Sequence, residues 1–250
     1  MSLIDLKNVS FAYGRGRNVL DGVDLSIKAG RNLGIVGESG SGKTTILRLL
    51  LGLARPTSGE ITFRDKPLDL VDRPLLRDFR RAVQAVFQDP YSSLDPRQRV
   101  ADIIAEPLRS LKVDTNIDTA VAEALASVDL PQDAASRYPH EFSGGQRQRI
   151  AIARAIVSQP ELVMADEVVS ALDLTTRIRI VDLLKTLSEK TTLVLVSHDI
   201  GFVALLCQDL VILEKGRIVE QGPAGDILSS PKHPYTRRLL ESTPRLPEFA

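Results

Sequence analysis

The chain has 250 residues, 43% of them hydrophobic, which is enough to bury the core of one large domain or two small ones. Lys plus Arg and Asp plus Glu each total 32, so the formal net charge of zero argues against a broad nucleic-acid-binding surface. A lone cysteine, Cys207, fits a reducing compartment. Neither a signal peptide nor an apolar run of the roughly 18–20 residues that cross a membrane is evident. We therefore expect a cytoplasmic protein.

The N-terminal part of the chain predicts short strands, then a glycine-rich loop and a helix. Residues 3–13 and 19–30 are typical of strands, and residues 33–36 predict a buried strand. A helix is expected over about 43–53, because the breaker sequence ARPTSGE follows it. Further strands are expected at 61–63 and 82–87.

The remainder alternates between helical and strand patterns. Residues 100–157 are helical in pattern, and two apolar strands at 161–166 and 191–199 flank the helix TTRIRIVDLLKTL. The segment LVILEKGRIVEQG predicts a hairpin that turns at Lys215-Gly216. Strands that alternate with helices predict a mainly parallel sheet covered on both faces, here interrupted by a helical insert.

A phosphate-binding loop is the most specific motif. It matches G-x-x-x-x-G-K-[ST] and lies between a predicted strand and a predicted helix. Glycines let backbone N–H groups point at phosphate oxygens, and the helix adds its positive end. Lys43 is predicted to reach the β- and γ-phosphates, and the Thr44 hydroxyl to bind Mg²⁺. The predicted cradle comprises Gly37, Glu38, Ser39, Gly40, Ser41, Gly42, Lys43, Thr44 and Thr45.

Two acidic residues, Asp166 and Glu167, directly follow an apolar strand. The carboxyl ends of parallel strands are where such sheets bind ligands. Asp166 is predicted to hold Mg²⁺, mainly through water, and Glu167 to orient the attacking water and accept its proton. Two acids that end a strand are most often a solvated loop, but their combination with the phosphate loop favours the catalytic interpretation.

A second candidate for phosphate binding is Phe142-Ser143-Gly144-Gly145-Gln146, which precedes a predicted helix. Ser143 and Gln146 have the spacing of a capping box, which by itself predicts only a well-capped helix. Gly144 and Gly145 leave the positive end of that helix without side chains, which suits close approach to a phosphate.

The sequence FSGGQ, followed by QRQR, resembles the signature of ATP-binding cassette proteins, which is usually LSGGQ. Other motifs of that family follow in the expected order along essentially the whole chain. The resemblance implies that Tyr13 stacks on adenine and that Gln88 links Mg²⁺ and water to a partner subunit. It further implies that Asp173, in the loop 170–173, crosses a dimer interface and that His198 contacts the γ-phosphate.

The resemblance implies an α/β fold, that of P-loop NTPases of the cassette family, with a mainly parallel core sheet, an N-terminal antiparallel β subdomain and a helical insert. One domain would span 1–250: residues 1–87 and 159–225 as the catalytic core, about 88–158 as the insert and 226–250 as the tail. Two cassettes would bind ATP and Mg²⁺ head to tail, so that the phosphate loop of one faces the signature of the other. The implied catalytic residues are Lys43, Gln88, Glu167 and His198. The implied metal ligands are Thr44, Gln88 and Asp166. The residues implied to contact the nucleotide, besides the phosphate loop, are Tyr13, Ser143, Gly144, Gly145, Gln146 and Asp173.

Two positions depart from the family pattern. Phe142 replaces the usual leucine of the signature, at a position that packs rather than binds. Val168 stands directly after Glu167, where the family commonly has proline, and it restores a backbone N–H. We expect Val168 to loosen the placement of Glu167 and to affect the rate of hydrolysis.

Three segments, 87–97, 138–155 and 233–240, resemble the branch of the family that serves dipeptide, oligopeptide and nickel importers. The branch implies an identical or paralogous cassette as dimer partner, integral membrane permease subunits, a substrate-binding protein reached indirectly, no nucleic acid, and a location on the cytoplasmic face of the membrane. Two alternatives stay open at this point. One is a soluble cassette ATPase without a transporter, such as part of a phosphonate-degrading complex, and the other is an ATP-dependent assembly module that hydrolyses poorly.

Overall fold

The computed structural model describes residues 1–14, 16–170 and 172–242. Ala171 of the predicted interface loop and residues 243–250 of the predicted tail lie outside the described residues. The chain divides into two compact units: a first unit of Met1–Arg73 with Thr192–Ala250, and a second unit of Pro74–Thr191. No helix in the described part of the chain is long and apolar enough to span a membrane.

The regular structure of the described residues consists of ten strands, ten α-helices and two short 3₁₀ helices, Gln132–Ser136 and Pro139–Glu141. The strands are β1 (Ser2–Phe11), β2 (Leu20–Lys28), β3 (Leu33–Val36), β4 (Ser58–Phe63), β5 (Lys66–Pro67), β6 (Val83–Val86), β7 (Leu162–Asp166), β8 (Thr192–Ser197), β9 (Asp209–Glu214) and β10 (Arg217–Pro223). The helices are α1 (Lys43–Leu50), α2 (Arg73–Ala82), α3 (Pro90–Ser93), α4 (Val100–Ser110), α5 (Ile117–Ser127), α6 (Gly144–Ile156), α7 (Leu174–Leu187), α8 (Ile200–Ala204), α9 (Ala224–Ser229) and α10 (Pro234–Ser242).

The first unit contains an antiparallel sheet in the order β2-β1-β4-β5. Ile4 pairs with Ile27 on one side and with Phe63 on the other, and all three side chains are buried. Buried and exposed residues alternate along β2, as expected for a sheet with one solvated face. This sheet is the predicted N-terminal antiparallel β subdomain.

The first unit also contains parallel strands, because β3 pairs in parallel with both β8 and β9. All residues of β3 and β8 are buried, which explains their continuous apolar sequences. At the start of β3, Asn32 is 4% exposed; its Nδ2 donates to the carbonyl of Leu206 and its Oδ1 accepts from the N–H of Leu193. Asn32 therefore satisfies two backbone groups of neighbouring segments in the core of this unit.

The second unit combines a parallel pair, β6 with β7, and the helices of the chain's middle. The residues of β7 are all buried, and the helices α4, α5 and α6 contribute apolar faces that include Ile104, Leu125 and Ile150, each 0% exposed. These helices are the ones that the sequence predicts over 100–157. The proposed limits of the insert, about 88–158, stay a prediction.

The structure confirms the predicted mixture of an antiparallel sheet, parallel strands and helices, including the hairpin of β9 and β10. The first helix ends at Leu50 rather than near residue 53. The sequence did not predict α2, because its segment RPLLRDFRRA is rich in arginine and only Phe79 and Ala82 are buried.

Candidate functional site

The phosphate loop connects β3 to α1 in the first unit. At Gly37 a Cβ would lie 2.4 Å from the carbonyl oxygen of Leu213, so only glycine fits the close approach of these two segments. Gly42 is the N-cap of α1 with a φ of 109°, a left-handed conformation that glycine adopts without strain. The cap supplies no side-chain hydrogen bond, and the first turn of α1 has no acidic residue. The positive end of α1 is therefore open to an anion.

Lys43 is the basic residue of the loop, and it is only 6% exposed. Its Nζ donates to the carbonyl oxygens of Gly37 at 2.7 Å and Glu38 at 2.9 Å. The ammonium group thus lies inside the curve of the loop, where the sequence predicts phosphate oxygens. Ser41 Oγ is buried there without a hydrogen-bond partner among the described residues, which fits a hydroxyl that would bind a phosphate oxygen.

Tyr13 lies beside the start of α1. Its ring packs edge-on against Phe11 with centroids 4.8 Å apart, and its hydroxyl is 3.4 Å from Oγ1 of Thr45. The side chain is 53% exposed, so one face of the ring is available for stacking. The Tyr13 hydroxyl thus lies beside the end of the phosphate loop, and its contact with adenine stays a prediction.

His198 directly follows β8, whose last residue, Ser197, pairs with Val36 at the end of β3. His198 and the first residue of the phosphate loop therefore leave neighbouring parallel strands at the same edge. The His198 side chain is exposed. The next residue, Asp199, caps α8 by accepting from the N–H of Phe202 at 2.9 Å.

One contact of the phosphate loop was not predicted. The N–H of Glu38 donates to the hydroxyl of Tyr235 at 2.9 Å, and Tyr235 is 3% exposed. Tyr235 belongs to the segment HPYTRRLL, which the sequence singled out only as a resemblance to one branch of the family. The signal available in the sequence was a tyrosine in line with apolar Leu239 on a segment with two arginines, since a tyrosine on the buried face of a helix needs a polar partner for its hydroxyl.

In the second unit, Gln88 and Glu167 meet at the ends of the parallel strands β6 and β7. Val86 pairs with Ala165, so Gln88 and Glu167 each lie two residues beyond a paired position. Gln88 Nε2 donates to Glu167 Oε2 at 3.0 Å. Asp166, the last residue of β7, is 9% exposed. The structure thus brings together the predicted water-binding glutamine and the predicted general base.

The backbone of Glu167 has a φ of 44°, which is left-handed and uncommon for a residue with a side chain. Its carbonyl oxygen accepts from the N–H and the hydroxyl of Ser170 at 3.1 and 2.9 Å. Val168 and Val169 are buried, at 3% and 2% exposure. A turn and two apolar anchors therefore support Glu167, although the effect of Val168 on hydrolysis stays a prediction.

The signature segment forms the predicted capping box at the start of α6. Ser143 Oγ accepts from the N–H of Gln146 at 3.3 Å, and Gln146 Oε1 accepts from the N–H of Ser143 at 2.9 Å. The two glycines differ. A Cβ at Gly145 would lie 2.3 Å from Cγ2 of Thr176, whereas one at Gly144 would have no neighbour closer than 3.9 Å. The close approach of Thr176 is therefore enough to explain why residue 145 is glycine, whereas no close contact requires glycine at position 144.

Asp173 is the N-cap of α7, and the sequence did not predict this role. Its carboxylate accepts from the N–H of Thr176 at 3.0 Å and from the hydroxyl of the same residue at 2.7 Å. The hydrogen bond from the backbone N–H is the larger cause, and together they lower the pKa of Asp173 below its ordinary value. Asp173 is thus ionised at neutral pH, and it fixes the start of the helix next to the signature.

The residues fit the groups that the sequence predicts. An uncapped helix start, a buried lysine and the unpartnered Ser41 Oγ suit a chain of phosphates. The Thr44 hydroxyl and the Asp166 carboxylate are oxygen donors of the kind that Mg²⁺ prefers together with phosphate oxygens. These features are what a P-loop nucleotide-binding protein requires.

Family comparisons agree with this class. A family model described as "ABC transporter" matches residues 20–170, and one described as "Oligopeptide/dipeptide transporter, C-terminal region" matches residues 219–248. The first match covers more than half of the chain, and the chain therefore belongs to the ATP-binding cassette transporter family. It is an ATP-binding ATPase of α/β fold.

Individual relatives show how far the similarity extends. The peptidoglycan transport ATP-binding protein YejF of Agrobacterium fabrum is 48% identical over 88% of this chain, which spans only 41% of that relative. The oligopeptide transport ATP-binding protein OppF of Lactococcus lactis is 42% identical over 92% of the chain and 74% of that protein. A solved dimeric structure of the ATP-binding cassette MJ0796, bound to ADP and Pi, gives a TM-score of 0.78 at 32% identity and covers 89% of this chain and 99% of that one.

Proposed function

We propose that the chain is the ATP-hydrolysing subunit of a membrane importer for dipeptides or oligopeptides. The observation that carries this proposal is the match of residues 219–248 to the C-terminal region of oligopeptide and dipeptide transporters, in a chain that also has a phosphate loop and a signature. The names of the relatives OppF and YejF support transport over a soluble, non-transport ATPase. Membrane association would then come through a permease.

The proposed roles in nucleotide binding combine the family resemblance with the structure of the loop. Lys43 and the open end of α1 would hold the phosphates, Thr44 and Asp166 would hold Mg²⁺, and the exposed face of Tyr13 would stack on adenine. Bound Mg²⁺ would neutralise charge on the phosphate oxygens. The N–H groups of Glu38 and Ser41 already donate within the fold, and the other backbone N–H groups of the loop are proposed to donate to phosphate oxygens.

Hydrolysis requires a base close to the attacking water. Glu167 is proposed for this role because its carboxylate lies at the end of β7 and accepts a hydrogen bond from Gln88, which is itself proposed to bind the water. His198 is exposed beside the phosphate loop and is proposed to contact the γ-phosphate. The proton of the water passes to the Glu167 carboxylate as the water oxygen bonds to the γ-phosphorus atom, while the bond from that phosphorus to the β–γ bridging oxygen breaks and ADP leaves.

Pairing of two cassettes completes the proposed site. Ser143, Gly144 and Gln146 at the start of α6 would meet the γ-phosphate bound by an identical or paralogous partner, with Asp173 near the interface. The supporting observations are the absence of a packing neighbour at Gly144 and the dimeric state of the MJ0796 cassette. ATP then holds two subunits together, and its hydrolysis releases them.

Glu167→Gln tests the catalytic proposal, because glutamine keeps the shape and the contact with Gln88 but does not accept the proton. We expect ATP turnover to fall by about 100-fold or more, with ATP binding retained and ATP-dependent dimers accumulating. Glu189→Gln, an exposed change in the same unit, is the matched control. Undiminished turnover in Glu167→Gln would remove Glu167 from the role of base.

Transport is tested separately by co-purification of the full chain with membrane proteins, followed by reconstitution in vesicles. We expect permease subunits and ATP-dependent uptake of a labelled oligopeptide. Recovery of a soluble multi-enzyme complex in place of permease subunits would contradict the importer proposal and leave the ATPase intact.

A further inference from the structure

The terminal segment of the first unit is fixed at its beginning by hydrogen bonds to β10. Glu220 of β10 accepts from the backbone N–H groups of Lys232 and His233 at 2.9 and 3.0 Å. His233 Nδ1 in turn accepts from the N–H of Tyr235 at 3.2 Å, at the start of α10. These contacts set the position of the first turn of α10, from which the Tyr235 side chain projects.

The Tyr235 ring is buried, and one charged side chain lies over it. The residue is 3% exposed, and the guanidinium of Arg238 lies 5.8 Å from the ring centroid. Arg238 also pairs with Glu214, the last residue of β9, at 3.6 Å. Burial raises the pKa of the Tyr235 phenol above its ordinary value, so the hydroxyl is protonated at neutral pH.

The hydroxyl of Tyr235 reaches one residue of the phosphate loop, and both polar backbone groups of that residue are engaged. The N–H of Glu38 donates to Tyr235, and the carbonyl of Glu38 accepts from Lys43. The same carbonyl also accepts from the N–H of Ser41 at 3.1 Å. Glu38 is therefore the point at which the terminal segment meets the hydrogen bonds that curve the loop.

We propose that Tyr235 is a positioning residue of the ATP site: its hydroxyl holds Glu38 so that the phosphate loop is already curved before the nucleotide arrives. Without the hydroxyl, the N–H of Glu38 loses its acceptor and the loop populates other conformations. Apparent affinity falls in proportion to the fraction of molecules in the binding-competent form. This inference rests on the proposed binding of ATP by the loop.

Tyr235→Phe tests the proposal because it removes one oxygen atom and retains the ring in its buried site. We expect the full-length variant to bind a fluorescent ATP analogue about 2- to 10-fold more weakly, the range for one neutral hydrogen bond. The KM for ATP should rise by the same factor while kcat stays unchanged, because Tyr235 touches no reacting atom. Glu241→Gln is the control: it changes an exposed residue of the same helix, leaves the Tyr235 hydroxyl in place, and should bind ATP like wild type.

A second measurement follows hydrogen exchange at the contact itself. In the wild-type protein without nucleotide, the Glu38 amide should exchange with deuterium more slowly than an unprotected amide, and Tyr235→Phe should remove this protection. Exchange of Glu38 in wild type at the unprotected rate would overturn the proposal, and so would unchanged or tighter ATP binding by Tyr235→Phe. Failure of the wild-type protein itself to bind ATP would instead refute the proposed function.

Discussion

Substitution of Gly145 by alanine separates packing from nucleotide binding in the signature. The added methyl group would lie 2.3 Å from Cγ2 of Thr176, on the neighbouring helix α7. Rotation of Thr176 about χ1 does not relieve the clash without cost, because it also moves the hydroxyl that donates to Asp173 at 2.7 Å. The two helices must therefore shift apart at this point.

The size of the effect follows from two opposed contributions. Overpacking by one methyl group costs about 1–3 kcal/mol, and the preference of a helix for alanine over glycine recovers up to about 1 kcal/mol. Thr176 is half-buried, so the helices can adjust in part. We expect a net loss of about 1–2 kcal/mol, which for a chain of this length lowers the Tm by about 2–8 °C.

Thermal unfolding followed by circular dichroism measures this loss, and two further variants control it. Gly144→Ala should have a Tm equal to or slightly above wild type, because no atom lies within 3.9 Å of its Cβ position. Adding Thr176→Ser to Gly145→Ala should restore the Tm, since serine lacks Cγ2 but keeps the hydroxyl. The reasoning is refuted if Gly145→Ala is as stable as Gly144→Ala, or if the second substitution restores nothing.

Three other outcomes are expected. Lys43→Ala should weaken ATP binding about 10- to 150-fold, the range for hydrogen bonds to a charged group; affinity equal to wild type in an equilibrium titration would contradict its role. Asn32→Ala leaves two buried backbone groups unpaired and should lower the free energy of unfolding by about 2–4 kcal/mol in urea titrations, where a loss below about 1 kcal/mol would contradict this account. The guanidinium of Arg31 lowers the pKa of Asp209, so the ionised pair stabilises the fold above about pH 4 and this contribution is lost as the pH falls through the lowered pKa. Arg31→Met should therefore lower the free energy of unfolding at pH 7 and approach wild type near pH 3 in urea titrations. An equal loss at both pH values would contradict this role of the Arg31–Asp209 pair.

Much of the fold could be predicted because the buried strands carry a strong local signal. The strands β3 and β8 are buried at every position, and uninterrupted apolar sequences with flanking glycine or polar residues mark them in the sequence. The packing of helix α10 was the part of the fold that the sequence predicted least, because its buried residues Tyr235, Thr236 and Leu239 form a narrow face among charged residues. Its position depends on Glu220, which the sequence does not link to it.

The candidate site also has one part that the sequence predicts and another that it does not. The phosphate loop is contiguous, so its residues and their arrangement follow from one motif and its flanking elements. The contact between Gln88 and Glu167 joins residues 79 positions apart, and that between Glu38 and Tyr235 joins residues 197 apart. Such contacts depend on which strands pair and in which register, and spacing along the chain does not contain that information.

Val168 links a departure in sequence to the conformation of the proposed base. A proline at this position would drive Glu167 towards an extended backbone, because the proline ring clashes with the residue before it. Valine imposes no such restriction, and Glu167 adopts a φ of 44°. In that conformation its carbonyl is held by Ser170 and its carboxylate by Gln88. We therefore expect the residue at position 168 to influence which backbone conformations Glu167 adopts, and through them the direction of its carboxylate.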